Sequence, residues 1–222
     1  MRINQLVAAA AISLLSAAPV SAGVIDLIGL PGNFDQATFG ASGTEHYAQS
    51  LEADDVNLAE LVFGIIDSEG GSFKVQVTES RAAGLPGTGT APDASGILWE
   101  QTLDHLGGGL QWFTVNPDVA TSVGSVYFMN LNAFSQSLVG ARVRATAFNG
   151  GTDAYTGGEF IFSNTNSDLS NTLSWSSRFS ANQDLAVRAV FNGGSNEVPA
   201  PGTLLLIAAG LFGVRLFGRK SA

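Results

Sequence analysis

The sequence predicts an all-β protein, an antiparallel β-sandwich or jelly roll, flanked by an N-terminal signal peptide and a short C-terminal hydrophobic helix. Three observations point there. Apolar residues in the middle of the chain recur at every second position. The intervals between these runs are filled with Gly, Pro, Asn and Asp. The stretch between the two apolar ends, Gly23–Asn196, has 174 residues, a natural size for one domain with its own core.

The first element is not part of the domain. Met1–Ala22 has one early charge, Arg2, then an apolar run from Leu6, and closes on Val20-Ser21-Ala22. Charged start, apolar centre and small residues at the end are the layout of a secretory signal, so the mature chain is expected to begin at Gly23 after signal peptidase has acted.

Strands follow. In SFKVQVTES, Phe73, Val75 and Val77 share one face; in GARVRATAF, Val143, Ala145 and Ala147 do; in DLAVRAVF, Leu185, Val187, Ala189 and Phe191 do. A strand buried on one side requires this alternation. Further strands are expected at His46–Ala53, Leu58–Ile66, Ile97–Leu103, Leu110–Val115, Val123–Leu131 and Glu159–Ser163. Leu51–Ile66 also fits a helix, against which stand Gly64 and the β-branched run around it. The breakers DSEGGS, LGGG, NPD, NGGTD and NSDLSN have turn chemistry, and Gly84–Gly96 reads as a long surface loop.

After Glu197 the character changes again. A turn-like Val198-Pro199-Ala200-Pro201 precedes an uninterrupted apolar run, Leu204–Val214, and a basic tip at Arg219 and Lys220. Eleven helical residues span about 16 Å, well short of a hydrocarbon core of about 30 Å. The basic tip fits retention on the inner side of a membrane while the body crosses it.

This tail resembles the PEP-CTERM sorting signal of secreted Gram-negative bacterial proteins, in which Pro-Glu-Pro precedes an apolar span and a basic cluster. The resemblance implies recognition and cleavage by an exosortase-like enzyme, transient residence in the inner membrane, and delivery to the cell surface or extracellular matrix. The motif residues here are Val198, Pro199, Ala200, Pro201, Arg219 and Lys220; Ala200 stands where the family has Glu, which removes a charge at the recognition point. A second resemblance covers the body. HYAQSLEAD, AYTGGEFIFS and QDLAVRAVF are similar to segments of a β-sandwich module of surface-sorted bacterial proteins, with Tyr155, Gly157, Gly158, Asp184, Leu185, Ala186 and Arg188 at matching positions and Leu51 and Val187 in place of aromatics.

Charge and chemistry narrow the rest. Gly23–Asn196 carries eighteen acidic and six basic side chains, a net of −12, so a phosphate backbone is repelled and nucleic acid is not expected as a partner. Cysteine is absent, which removes thiol catalysis and thiolate zinc. His46 and His105 fall on different elements without partners at ligand spacing, and no serine sits in a G-x-S-x-G elbow. Asn164, Asn166 and Asp168 place alternating oxygens as a calcium loop begins, but Leu169 and Trp175 occupy the Gly and Glu positions of such a loop; they are candidates for a structural Ca²⁺ or for ordinary Asx caps. No other cofactor is expected. Aromatic rings stack on sugars, and Trp99, Trp112, Trp175 and Tyr155 are available. Trp112 beside Phe113 reads as core. Trp175, among serines in LSWSSRF, is the best candidate for an exposed ring, but large aromatics are buried on average and packing under a sheet edge is the reading preferred for it. The expectation is therefore a surface-sorted, non-enzymatic sandwich of the envelope or exopolysaccharide matrix. The alternative is a carbohydrate-binding module using Trp175 and Tyr155.

Overall fold

Period-two alternation needs a surface on each side of the apolar stripe, and two facing sheets supply it. The computed structural model describes residues 23–193 apart from 31–32, 42, 67–68, 84–88, 147–152, 166–167, 170–174 and 178–182. The expected signal peptide and sorting tail lie outside these residues. The strands are β1 (Gly23–Asp26), β2 (Phe34–Phe39), β3 (His46–Glu52), β4 (Asn57–Ile66), β5 (Gly71–Ala82), β6 (Thr90–His105), β7 (Gln111–Val115), β8 (Val119–Ala120), β9 (Val126–Asn132), β10 (Ala141–Ala145), β11 (Phe160–Ser163), β12 (Ser176–Ser177) and β13 (Val187–Asn192).

They form two sheets in which all strand pairs are antiparallel. One runs β1-β13-β4-β10-β2, with β7 and β8 also paired to β4; the other runs β12-β11-β3-β9-β5-β6. Between them lies the main core, where Leu61, Phe63 and Ile65 of β4 meet Tyr47 and Leu51 of β3 and Phe73, Val75 and Val77 of β5. Phe113 closes one end, edge-on to Phe73 at 5.2 Å and stacked on Phe63 at 5.6 Å. Such ring pairs each add about 1 kcal/mol beyond their area.

The all-β architecture stands, and the alternative of a helix across Leu51–Ile66 does not: β3 and β4 are separate strands joined through Ala53–Val56. Three expectations shift. Thr90–Gly96, expected within a long surface loop, is the first half of β6, where Ala82↔Thr90, Arg81↔Ala91 and Ser80↔Pro92 continue the ladder past two register shifts. Pro92 is tolerated because β6 is an edge strand, so its missing N–H breaks no further pairing. The strand expected from Val123 starts at Val126, after a turn with Gly124 at φ 77°. β1, β2, β8 and β12 had no counterpart in the alternation pattern.

A second, smaller apolar cluster sits on the outer face of the six-stranded sheet. Ala48, Phe128 and Ile161 point outward there and are covered by Ala91, Leu169 and Trp175. The sheet is thus buried on both faces over part of its width.

Candidate functional site

The three stretches AQS, YTGG and QDLA, far apart in the chain, meet at one buried carboxylate. Gln49 points inward from β3 and donates from Nε2 to Asp184 Oδ1 at 2.9 Å, while its Oε1 accepts from Leu185 N at 2.8 Å. Tyr155 N donates to Asp184 Oδ2 and also to Asp153 Oδ1, each at 3.1 Å. Thr146 completes the set, accepting at Oγ1 from Asp184 N at 3.1 Å as its own amide donates to Asp184 O at 2.8 Å. Asp184 is 1 % exposed. Burial, with the Asp153 carboxylate beside it, pushes its carboxyl up from the usual carboxylate range to about 7.

Tyr155 is held by its own loop. Its ring lies over Gly157 and Gly158, and any side chain at Gly158 would come within 3.0 Å of both that ring and Ser50 O, so the segment reaches β3 only because residue 158 is Gly. The phenol oxygen accepts from Glu52 N at 2.8 Å, and burial raises its pKa to about 12. The ring packs against the main core. The arrangement ties β3 to the segment entering β13, and so one sheet to the other. Its carboxylate, amide and phenol serve each other and the backbone.

The histidines also serve packing. His105, 2 % exposed, accepts at Nδ1 from Gly107 N at 3.0 Å; its Nε2–H is then the donor to Ile65 O at 3.3 Å, which assigns a neutral ring. His46, 1 % exposed, lies edge-on to Trp175 with centroids 6.3 Å apart. Among the described residues no three His, Cys, Asp or Glu side chains come together as metal ligands.

Trp175 takes the packed position under the sheet edge, not that of an exposed platform. It is 6 % exposed, packed with Leu169 over Ile161, Ala48 and Phe128. The serines around it reflect a short strand, β12, on the outer rim of the sheet, while the indole turns inward. Trp175 and Tyr155 belong to separate apolar clusters and form no common platform. Of the oxygen series, Asn164 is exposed, Asn166 lies outside the described residues, and Asp168 Oδ1 accepts from Leu169 N at 2.7 Å and from Asn132 Nδ2 at 3.1 Å.

Two features escaped the sequence reading. On the outward positions of β5 and β9 runs a row of buried amides, with Gln76 Nε2 donating to Glu100 at 2.6 Å and Asn130 Nδ2 to Thr78 Oγ1 at 3.2 Å. Polar residues on the outward positions of β5 and β9 were the available signal. The second is Trp112, expected in the core. It is 39 % exposed on the outer face of the seven-stranded sheet, because Phe113 takes the inward position of β7.

Residues 197–221 match the family model of the PEP-CTERM protein-sorting motif. That motif implies export and sorting to the bacterial surface or membrane, with processing by an exosortase-type enzyme. No curated protein matches the chain.

Proposed function

We propose that this chain is a non-enzymatic structural protein of the envelope or extracellular polysaccharide matrix of a Gram-negative bacterium, exported by its leader and released from the inner membrane by cleavage at Val198–Pro201. The sorting motif at 197–221 carries the reading. Physical chemistry supports its details. The Leu204–Val214 span is too short to be a durable anchor on its own, so a membrane hold that ends in processing suits it better than permanent residence. Ala200 in place of the family's Glu removes one charge from the recognition point, so contacts to Pro199, Pro201 and the Arg219-Lys220 tip must hold the substrate. The strongest polar constellation in the domain, around Asp184, consists of groups already satisfied by one another, which suits a structural part.

Intact mass of the protein recovered from the cell surface tests this. The expected species begins at Gly23 and ends near Pro199–Pro201. A surface-located species ending at Ala222 would overturn processing. A second reading, glycan binding, is favoured by one observation, the exposed indole of Trp112.

A further inference from the structure

Trp112 stands in register with Gly64, its cross-strand partner on β4. A side chain at Gly64 would meet Trp112 Cζ3 and Leu110 Cδ1 at 3.0 Å and Arg144 Cβ at 3.2 Å. The benzo edge of the indole therefore occupies the space above the glycine, supported from below by backbone and flanked by Leu110 and the stem of Arg144. Support of this kind is enough to stabilise a glycine in a strand. It does not account for the ring's exposure: 39 % of a Trp surface of about 250 Å² is about 100 Å² of aromatic surface left in water.

The charges around it depart from the rest of the domain. Six basic side chains serve Gly23–Asn196 against eighteen acidic ones, and three of the six, Arg142, Arg144 and Arg188, point outward from this sheet. Four described carboxylates share the face. Asp35 is bound to Arg144 at 2.5 Å, Glu60 lies 3.7 Å from Arg188, Asp26 is in register with Arg188, and Asp118 Oδ1 accepts from Asn57 Nδ2 at 3.1 Å. Arg144 is paired with Asp35, and Arg142 is exposed without an ion pair among the described residues. Beside its exposed ring this acidic domain thus keeps one exposed guanidinium, Arg142, that no described carboxylate pairs.

We infer that this face is a binding site for an acidic polysaccharide, with a sugar ring stacked on Trp112 and the carboxylate of a uronic acid residue held by Arg142. Ring C–H surfaces suit an indole, and guanidinium suits a carboxylate through a bidentate pair. Arg142 lies in register with Ile66, two residues along β4 from Gly64, and one strand beyond it. At strand spacings of about 4.8 Å and about 3.4 Å per residue, Trp112 and Arg142 are roughly 12 Å apart along the sheet. A polymer bridges that distance where a single sugar does not. The site deepens the glycan-binding reading and is independent of the sorting motif.

Affinity electrophoresis of the full chain in mild detergent tests it, with polygalacturonate as the acidic probe and dextran as the neutral one. Polygalacturonate is expected to retard the protein, less so at high salt, and dextran is not. Trp112→Ala should weaken retardation at least tenfold and Arg142→Gln about fivefold, with Trp112→Phe intermediate; unchanged melting temperatures would show that each variant is folded. Retardation of wild type that none of these variants changes would overturn the site while leaving glycan binding standing. No retardation by either probe would overturn both. Equal retardation by dextran would overturn the acidic ligand, and a dimer that Trp112→Ala dissolves would make the face a self-association surface instead.

Discussion

Asp184→Asn separates a structural carboxyl from an incidental one by pH alone. The carboxyl is buried and titrates near 7 in the folded chain, against 3.8 for a free aspartate. The folded state therefore holds a proton that the unfolded state releases between about pH 4 and pH 7, and stability must fall as pH rises through that window. A shift of about three units corresponds to about 4 kcal/mol if the site admits no water, and to about 2 kcal/mol if relaxation recovers half. Asparagine cannot ionise. Its Oδ1 can still accept from Gln49, but its Nδ2 then faces the Tyr155 amide, donor against donor, at a cost of about 1–3 kcal/mol. At pH 4.5 the variant should be the less stable by that amount, and by pH 8 the two should converge or cross. Urea midpoints at half-unit pH intervals measure this directly. A difference between wild type and Asp184→Asn that stays constant from pH 4 to pH 8 would refute the reasoning, whatever its size. Asp153→Asn gives a second reading of the same coupling, since loss of the neighbouring charge should move the window to lower pH.

Two further outcomes follow from packing. Gly158→Ala should lower stability by more than 2 kcal/mol in a denaturant titration, because a methyl there enters both Ser50 O and the Tyr155 ring; a loss below 0.5 kcal/mol would mean that the loop does not reach β3. Trp175→Ala should cost about 3 kcal/mol, as truncation of a buried indole does, and a near-neutral effect would return that ring to the surface.

Much of the sandwich was legible because β7, β10 and β13 bury alternate side chains, and alternation is a local property; β3 and β9 are buried on both faces. Gly23–Asp26 carries only four residues of pattern; what makes it a strand is Gly23↔Phe191 through Asp26↔Arg188, a partner more than 160 residues away. The two tryptophans show the same boundary. Exposure of Trp175 depended on whether a remote segment lies across Phe128 and Ile161, which its neighbouring serines do not encode. Exposure of Trp112 depended on which of two adjacent aromatics faces inward, and only the pairing of β7 with β4 settles that. Around Asp184, the letters of the motif stood out in sequence, but their meaning is the meeting of Gln49 and Asp184 across 135 positions.

The place of β13 has a consequence for the order of assembly. It lies between β1 and β4, so the seven-stranded sheet lacks an interior member until Val187–Asn192 has arrived. In a chain threaded N-terminus first through a membrane, that member is among the last to emerge. Until then the flank of β4 and both sides of β1 present unpaired N–H and C=O groups, which invite pairing with other chains. Residues 193–203 separate β13 from the apolar span, and eleven extended residues reach about 36 Å. With the proposed hold of the tail at the membrane, that reach leaves β13 free to join the sheet before the tail is cut.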